Sequence, residues 1–235
     1  MSGSPDEIDV RVRFGAPMPL FPFDELVVLP QQIVPLHIFE ARYRQMIERS
    51  LDNAGQIGLA VWRPGPGPEH ERELRPTVCV TQIMHHERLP DGRFNVLVQG
   101  VCRARLNEIQ PPVDDRLYLQ AVLEPAEMPP PDDLELKPAR EWVVEELESG
   151  SLSQLRMAED LLEYVQNAEI PTSTVLEIVS FTLVQDTEAR YALLDEPDVT
   201  RRADRLRNEL GGLAKLIRLA ERQGAEEWPK GLSWN

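Results

Sequence analysis

Side chains that could bind a metal ion are few and scattered along this chain. Four histidines occur, and His85 and His86 are the only adjacent pair. Neighbouring residues of a strand point to opposite faces of a sheet, so these two would not share one ion. A metal site needs three or four converging ligands, and His37 and His70 lie elsewhere in the sequence. The sequence therefore predicts no metal site.

The two cysteines could form a disulfide or act as nucleophiles. Cys79 and Cys102 each lie in a stretch rich in β-branched residues, TVCVTQI and VLVQGVCRARL. No CxxC spacing is present, and a chain from a reducing compartment keeps such thiols reduced. We therefore expect two buried, reduced thiols.

Catalytic and cofactor-binding signatures are missing from the sequence. Nothing matches the phosphate-binding pattern GxxxxGK[ST], the nucleophile elbow or the dinucleotide fingerprint. The three lysines are Lys137, Lys215 and Lys230. Paired carboxylates are abundant and include Asp132-Asp133, Glu145-Glu146 and Glu226-Glu227. These pairs fall in a predicted linker, helix and tail, where solvated charge explains them. The sequence predicts no catalytic residue and no cofactor.

Charge and hydropathy restrict the classes of partner. The chain has 40 acidic and 25 basic residues, a formal net charge of −15. A field of that sign repels nucleic-acid phosphates and anionic membrane surfaces. No apolar run reaches the length of a membrane span, and residues 1–16 lack the pattern of a signal peptide. We expect a flexible leader over 1–16 and a cytoplasmic location, with neither nucleic acid nor membrane as partner.

Residues 17–124 are predicted to be mainly β, with one inserted helix from Phe39 to Leu51. Apolar residues recur at three- and four-residue steps, which places one face of this helix on a core. These residues are Phe39, Tyr43, Met46, Ile47 and Leu51. Glu40, Arg44 and Glu48 then lie on the solvent side and are candidate contacts for a partner. A loop rich in proline and glycine, Trp62 to Pro68, is a second candidate, with Trp62 as its aromatic residue.

Strands are predicted at 26–29, 33–36, 57–62, 77–84, 94–98 and 117–123. Asp91-Gly92 separates the fourth and fifth and predicts a two-residue hairpin turn, because a positive φ is tolerated there. Gly100 predicts a break before a further strand begins.

The second half is predicted to be helical. Residues 125–136 contain three consecutive prolines and are interpreted as an extended linker, followed by a helical subdomain over 137–223. Pro138 is expected to open its first helix. Thr174 with Glu177 is typical of a capping box, and a further helix is expected from Thr187 to Asp195.

The last predicted helix carries a regular apolar seam. Its residues are Val199, Ala203, Leu206, Leu210, Leu213, Ile217 and Ala220. Such 4–3 spacing is typical of a coiled coil, so the seam either packs back on the other helices or supports weak self-association or docking. The tail, 224–235, contains Trp228 and Trp234, which are candidate docking anchors or contacts to the chain's own domain.

Several motifs together resemble the N-terminal substrate-recognition domain of the Lon ATP-dependent proteases, over about residues 17–217. They are PLFP at 19–22, VLP at 28–30, PLHIFEARY at 35–43, Thr77, LPDG at 89–92, Val96, Val98, Gly100, Arg103 and, more loosely, DTEARYALLDEPDVTRRADRL at 186–206. The resemblance implies an α+β fold: a PUA-like β-barrel with one inserted helix, followed by a C-terminal helical bundle. It is typical of a stand-alone member that lacks the ATPase lysine and the Ser-Lys peptidase dyad of Lon.

The leading hypothesis is a non-catalytic protein-binding module, an adaptor, regulator or unfolded-protein binder in protein quality control. Its partners would be polypeptide substrates or a protein such as a protease or chaperone. The alternative is an RNA-binding PUA-like protein, which the charge of −15 and the lack of a basic stripe disfavour. A hydrolase would need catalytic groups that the sequence does not provide.

Overall fold

The computed structural model describes residues 11–67 and 72–222, which divide into two compact units. The sheet unit contains the residues up to Met128 together with Asp186–Pro197. The helical unit contains Pro129–Gln185 together with the residues from Asp198 onward. The fold class is α+β, as predicted. No helix among the described residues is long and apolar enough to cross a membrane.

The sheet unit is built on one six-stranded sheet with two helices. Its elements are β1 Pro17–Phe23, β2 Ile33–Ile38, α1 Ala41–Leu51, β3 Gln56–Val61, β4 Thr77–Arg88, β5 Phe94–Gln110, β6 Gln120–Pro125 and α5 Thr187–Asp195. The strand order is β2-β5-β4-β3-β1-β6. β1 and β3 are parallel, and the other pairs are antiparallel. Apolar residues from β1, β3, β4, β5 and β6 form a core on one side of it.

The predicted barrel needs correction, because the sheet is not a closed one. β6 pairs with β1 and also with the second half of β5, so the sheet curls strongly. β2, however, pairs with β5 alone and remains an edge strand. A closed barrel has no edges. Because β2 is a free edge, the sheet is a strongly curled mixed sheet and not a closed barrel.

The predicted hairpin is present, but its second strand is continuous. Leu89 N–H donates to Arg93 O at 2.8 Å, and Gly92, with φ 81°, closes the turn by donating to Leu89 O at 2.9 Å. The loop is thus one residue longer than the predicted turn. Gly100 does not break the strand: β5 runs through it, and a Cβ there would lie 2.2 Å from Leu29 O. Glycine is required at 100 for close backbone approach.

The inserted helix is confirmed, with one error at its start. α1 begins at Ala41, and Tyr43, Met46 and Ile47 are buried as predicted. Phe39 precedes the helix and is 62% exposed, so it is not a core residue. The predicted strand 26–29 is also wrong: Val27, Val28 and Leu29 are buried and Leu26 is half-buried, but they form no strand. Apolar content alone does not distinguish a strand from a buried loop.

The helical unit contains four α-helices and a short 3-10 helix. They are α2 Asp133–Glu148, the 3-10 helix Ser151–Gln154, α3 Ala158–Gln166, α4 Thr172–Leu183 and α6 Val199–Arg222. α2 begins before Pro138, because the Asp132 carboxylate caps it by accepting from Leu134 N–H at 3.1 Å. The predicted linker is therefore shorter. Thr174 does not cap α4, whose first residue Thr172 instead donates to Asp133.

The seam of α6 faces its own unit. Val199, Leu206 and Leu210 are at most 3% exposed, and the buried ion pair of Arg202 with Glu177 of α4 lies beside them at 3.2 Å. This burial favours packing within the unit over use of the seam for self-association.

α5 has the predicted bounds but packs against the sheet, whereas the sequence pattern predicted it as part of the helical subdomain. The Tyr191 hydroxyl accepts from Thr77 N–H at 2.9 Å and donates to Thr77 O at 3.3 Å. Arg75 stacks on the Tyr191 ring, 3.7 Å from its centroid, and forms two bonds to Glu188. The Thr77 hydroxyl also donates to Asp195. These contacts join the start of β4 to the whole length of α5.

Arg103 of β5 completes the attachment of α5 and is only 1% exposed. Its guanidinium donates to Leu193 O at 3.3 and 3.4 Å. It also pairs with Glu127, after β6, at 2.7 Å. A buried guanidinium is tolerated because an opposite charge and backbone acceptors replace its water. We call Arg103, Thr77 and Tyr191, with their partners, the α5 dock.

Candidate functional site

The candidate contacts on α1 are half-buried and paired with neighbouring residues. Glu40 precedes α1 and accepts from Arg42 Nε at 2.9 Å. The Arg44 guanidinium donates to Asp91 O at 3.4 Å, in the hairpin turn. Glu48 pairs with Arg88 of β4 at 3.0 Å. Arg44 and Glu48 thus fasten α1 to the hairpin, and a binding role for these residues stays a prediction.

Trp62 lies in the protein interior and not in an exposed loop. It is 6% exposed, forms a bridge with Leu74 and donates its backbone N–H to Phe23 O at 2.9 Å. The residues that follow it, 63–67, are exposed. The other candidate tryptophans, Trp228 and Trp234, lie outside the described residues.

A cavity of about 570 Å³ opens beside Trp62 in the sheet unit. We call it the aromatic cavity. Its lining consists of Pro22, Arg42, Tyr43, Trp62, Arg72, Glu73, Leu74, Ile109, Pro111, Pro112, Leu117, Tyr118 and Leu119. Ligand pockets commonly have volumes of about 300–1,000 Å³, apolar walls and a few polar groups. The aromatic cavity has the size and composition of such a pocket.

Three aromatic residues from different elements line this cavity. Tyr43 comes from α1, Trp62 follows β3, and Tyr118 precedes β6. Two of them are covered by arginines that also line the cavity. The Arg42 guanidinium lies 4.6 Å from the Tyr43 centroid, and that of Arg72 lies 5.9 Å from the Trp62 centroid. The cavity therefore combines flat apolar walls with positive charge.

The indole of Trp62 carries a buried donor that lacks an acceptor. Trp62 Nε1 is buried and forms no hydrogen bond within the described residues. Buried indole N–H groups usually have a partner, and leaving one without costs about 1–3 kcal/mol. The N–H therefore lowers the stability of the folded state, while the indole ring contributes an apolar wall to the aromatic cavity.

The connection between β5 and β6 forms one wall of the cavity and is fastened to α1. The Gln45 side chain donates to Asp115 O at 2.6 Å and accepts from Leu117 N–H at 2.9 Å. Arg49 pairs with the Asp115 carboxylate. Leu117 and Ile109 are each 46% exposed beside the cavity. α1 thus holds apolar side chains at the mouth of the cavity.

Candidate metal ligands and the two cysteines are not brought together by the described part of the fold. Among residues 11–67 and 72–222, no group of three or more histidines, cysteines or carboxylates could hold a metal ion. Both cysteines are free thiols. Burial, and secondarily the Glu127 charge, raises the pKa of Cys102 to about 12. Its thiolate, the nucleophilic form, is therefore scarce near neutral pH.

The sequence singles out Trp62 but not most of the cavity. Its pattern predicts Tyr43 on the core face of α1, and nothing in it distinguishes Arg72 from the other charged residues around it. The segment Ile109–Leu119 did contain a signal, since Pro111-Pro112 ends a strand and apolar residues follow within a loop. Apolar residues that lie in a loop and outside any strand or helix are candidates for an exposed apolar surface, which often marks a binding site.

Comparisons with known proteins point to a single family. The family model described as the ATP-dependent protease La (LON) substrate-binding domain matches residues 17–211. The Lon protease 1 of Syntrophobacter fumaroxidans is 25% identical over 212 residues, which cover 87% of this chain and 25% of that protein. The Lon protease of Escherichia coli K12 is 21% identical over 206 residues, 87% of this chain and 26% of that protein. The chain thus spans about a quarter of the length of these curated relatives.

Solved structures show the same fold. The N-terminal domain of Mycobacterium avium complex Lon protease aligns with a TM-score of 0.63 at 18% identity, covering 82% of this chain and 97% of that one. A Lon N-terminal domain protein from Xanthomonas campestris aligns with a TM-score of 0.56 at 18% identity, covering 81% and 96%.

Proposed function

Because the chain belongs to the family of substrate-binding domains of ATP-dependent protease La (LON), we propose that it binds exposed apolar segments of other polypeptides without chemical change. It serves in the cytoplasm as an adaptor, regulator or unfolded-protein binder in protein quality control. Its partner is a polypeptide substrate, or a protease or chaperone that shares that substrate.

The aromatic cavity is the observation that carries this proposal. Its proline, leucine and aromatic lining suits an apolar side chain, and Ile109 and Leu117 extend that surface to solvent. Burial of apolar surface contributes about 25 cal/mol per Å². A segment that is buried in a folded protein but exposed in an unfolded one would gain this energy only when unfolded.

Two observations support binding without catalysis. Family and relatives match this chain only over the substrate-binding part of the protease. The titratable groups of the described residues form no metal cluster, and Cys102 is a poor nucleophile. Nothing in the described structure favours the RNA-binding alternative, which stays without support.

The proposal is tested by the affinity of the full chain for a permanently unfolded, fluorescently labelled polypeptide. Ile109→Asp places a charge at the mouth of the aromatic cavity, and we expect at least a tenfold loss of affinity, equivalent to about 1.4 kcal/mol. Ile33→Asp is the matched control, because Ile33 is also an exposed strand isoleucine of the sheet unit, at 60%, but does not line the cavity.

Circular dichroism of both variants checks that they fold. Binding that Ile109→Asp leaves unchanged contradicts a role for the aromatic cavity, and loss in Ile33→Asp alone would move the site to the edge of β2. An unfolded polypeptide that the wild-type chain ignores contradicts the proposed function itself.

A further inference from the structure

The positive charge of the aromatic cavity is unusual in so acidic a chain. The whole chain has a net charge of −15, yet among the described residues the cavity is lined by Arg42 and Arg72 against one carboxylate, Glu73. Glu73 itself pairs with Arg63, which is not part of the lining, at 3.5 Å. The charged groups that face a bound molecule are therefore mainly guanidinium groups.

Each of the two arginines pairs with an acidic residue that lies outside the lining. Arg42 pairs with Glu40, whose side chain is 40% exposed, and Arg72 pairs with Asp24, whose side chain is 62% exposed. The Arg42–Glu40 pair is partly exposed on both sides, and such pairs contribute only about 0–1 kcal/mol. The Arg72 side chain is only 14% exposed. A carboxylate from a bound molecule can therefore replace Glu40 at small cost and can share the Arg72 guanidinium with Asp24.

Arg72 is also fixed in position. Its Nε and Nη2 donate to Arg63 O at 3.3 and 3.0 Å, and Nη1 donates to Asp24 at 2.5 Å. A guanidinium has five N–H donors. Three of those of Arg72 are bonded within the described part of the chain. The guanidinium is held over the Trp62 ring and keeps further N–H groups available for a ligand. Because its position is already fixed, less conformational entropy is lost when a ligand binds.

We propose that the aromatic cavity selects apolar segments that are flanked by aspartate or glutamate. This inference rests on the proposed function and names the class of polypeptide that the site prefers. The apolar side chain fills the space between the aromatic walls. Side-chain carboxylates of the segment meet Arg42 and Arg72.

The two arginines fit internal acidic side chains better than a single terminal carboxylate. They come from different parts of the chain, stack on different rings and have different acidic partners. Capture of one terminal carboxylate requires donors that converge on the same anion. Two guanidinium groups with separate supports instead suit two acids placed on either side of an apolar residue.

Three synthetic peptides test the inference by fluorescence anisotropy with the full chain. They share a central Phe-Leu pair and differ only in its flanking residues: Asp, Asn or Lys. We expect the Asp peptide to bind about fivefold more tightly than the Asn peptide, as for a contact worth about 1 kcal/mol. The Lys peptide should be the weakest, and the differences should shrink at high salt.

Arg42→Gln and Arg72→Gln should each reduce the preference for Asp over Asn, measured as the ratio of the two dissociation constants. Arg88→Gln is the matched control: Arg88 also stacks on a ring, 5.6 Å from the Phe94 centroid, and pairs with Glu48, but does not line the cavity. It should keep the full preference.

The outcomes separate the two proposals. Equal affinity for all three peptides, or a preference that survives in both cavity variants, overturns the acidic preference and leaves apolar binding standing. A peptide with a free C-terminal carboxylate beside Phe-Leu that binds more tightly than the internal Asp peptide also overturns it. Failure of all the peptides to bind contradicts the proposed function and this inference together.

Discussion

The α5 dock and the aromatic cavity lie in the same unit and treat buried polar groups in opposite ways. At the dock, the Arg103 guanidinium and the Tyr191 hydroxyl are buried and bonded to main-chain or acidic partners. At the cavity, the Trp62 indole N–H is equally buried and has no acceptor within the described structure. Satisfied polar groups specify the fold, whereas an unsatisfied buried donor lowers the stability of the folded state.

The motifs that carry the resemblance to Lon include residues of both regions. Thr77, Arg103 and Tyr191 belong to the dock, and Arg42 and Tyr43 of the motif at 35–43 line the cavity. Trp62 and Arg72 of the cavity lie outside the motifs. The motifs therefore report how the sheet and α5 are joined and only part of the cavity wall.

The largest effect should come from Arg103→Met, which removes the buried charge of the dock. The variant loses the bonds to Leu193 O and Glu127, and we expect the free energy of unfolding to fall by about 3 kcal/mol. Urea denaturation followed by circular dichroism measures this. Arg103→Lys keeps the charge but loses the planar fork, so its loss should be smaller. An Arg103→Met variant as stable as wild type would mean that apolar packing alone holds α5.

A smaller effect is expected for Tyr191→Phe, which removes one hydroxyl from the dock. Burial raises the pKa of Tyr191, so the hydroxyl stays protonated and donates to Thr77 O at neutral pH. Its loss leaves Thr77 N–H buried without this acceptor, and we expect a cost of about 1–2 kcal/mol.

Tyr164→Phe is the control for that substitution, because Tyr164 is 54% exposed in the helical unit and should change stability little. Equal losses in the two variants would remove the distinction between a bonded buried hydroxyl and an exposed one. The affinity of Tyr191→Phe for the unfolded polypeptide should match that of wild type, since Tyr191 does not line the cavity.

Local patterns predicted much of the fold, but not which elements would meet. The bounds of α5, the inward face of α1 and the hairpin turn at Gly92 follow from capping, periodicity and turn chemistry. The attachment of α5 to β4 could not be predicted, because it joins Thr77 to Tyr191 across more than a hundred residues of sequence. No periodicity within α5 indicates whether its partner is a helix or a strand.

The cavity was harder to predict for the same reason. Its aromatic walls, Tyr43, Trp62 and Tyr118, come from three separate segments, and each alone is typical of an ordinary core residue. Only the fold brings them together beside Arg42 and Arg72. The missing acceptor of Trp62 is likewise a property of the assembled surroundings, and no sequence pattern reports it.

Among the substitutions in the dock and the cavity, the smallest change in stability is expected for Trp62→Phe, although it removes more atoms than Tyr191→Phe. Trp62 is a buried core residue, so packing contacts are lost. The indole N–H has no acceptor within the described residues, however, and its removal relieves a desolvation cost that offsets much of this loss. The free energy of unfolding should fall by less than about 1 kcal/mol. Affinity for the Asp peptide should nevertheless fall about fivefold, because the smaller ring shortens an aromatic wall of the cavity. Trp142→Phe, in the helical unit, should leave that affinity unchanged.

If Trp62→Phe instead costs more stability than Tyr191→Phe and binds peptide normally, then the indole N–H is satisfied within the protein, and the contrast between the dock and the cavity does not hold.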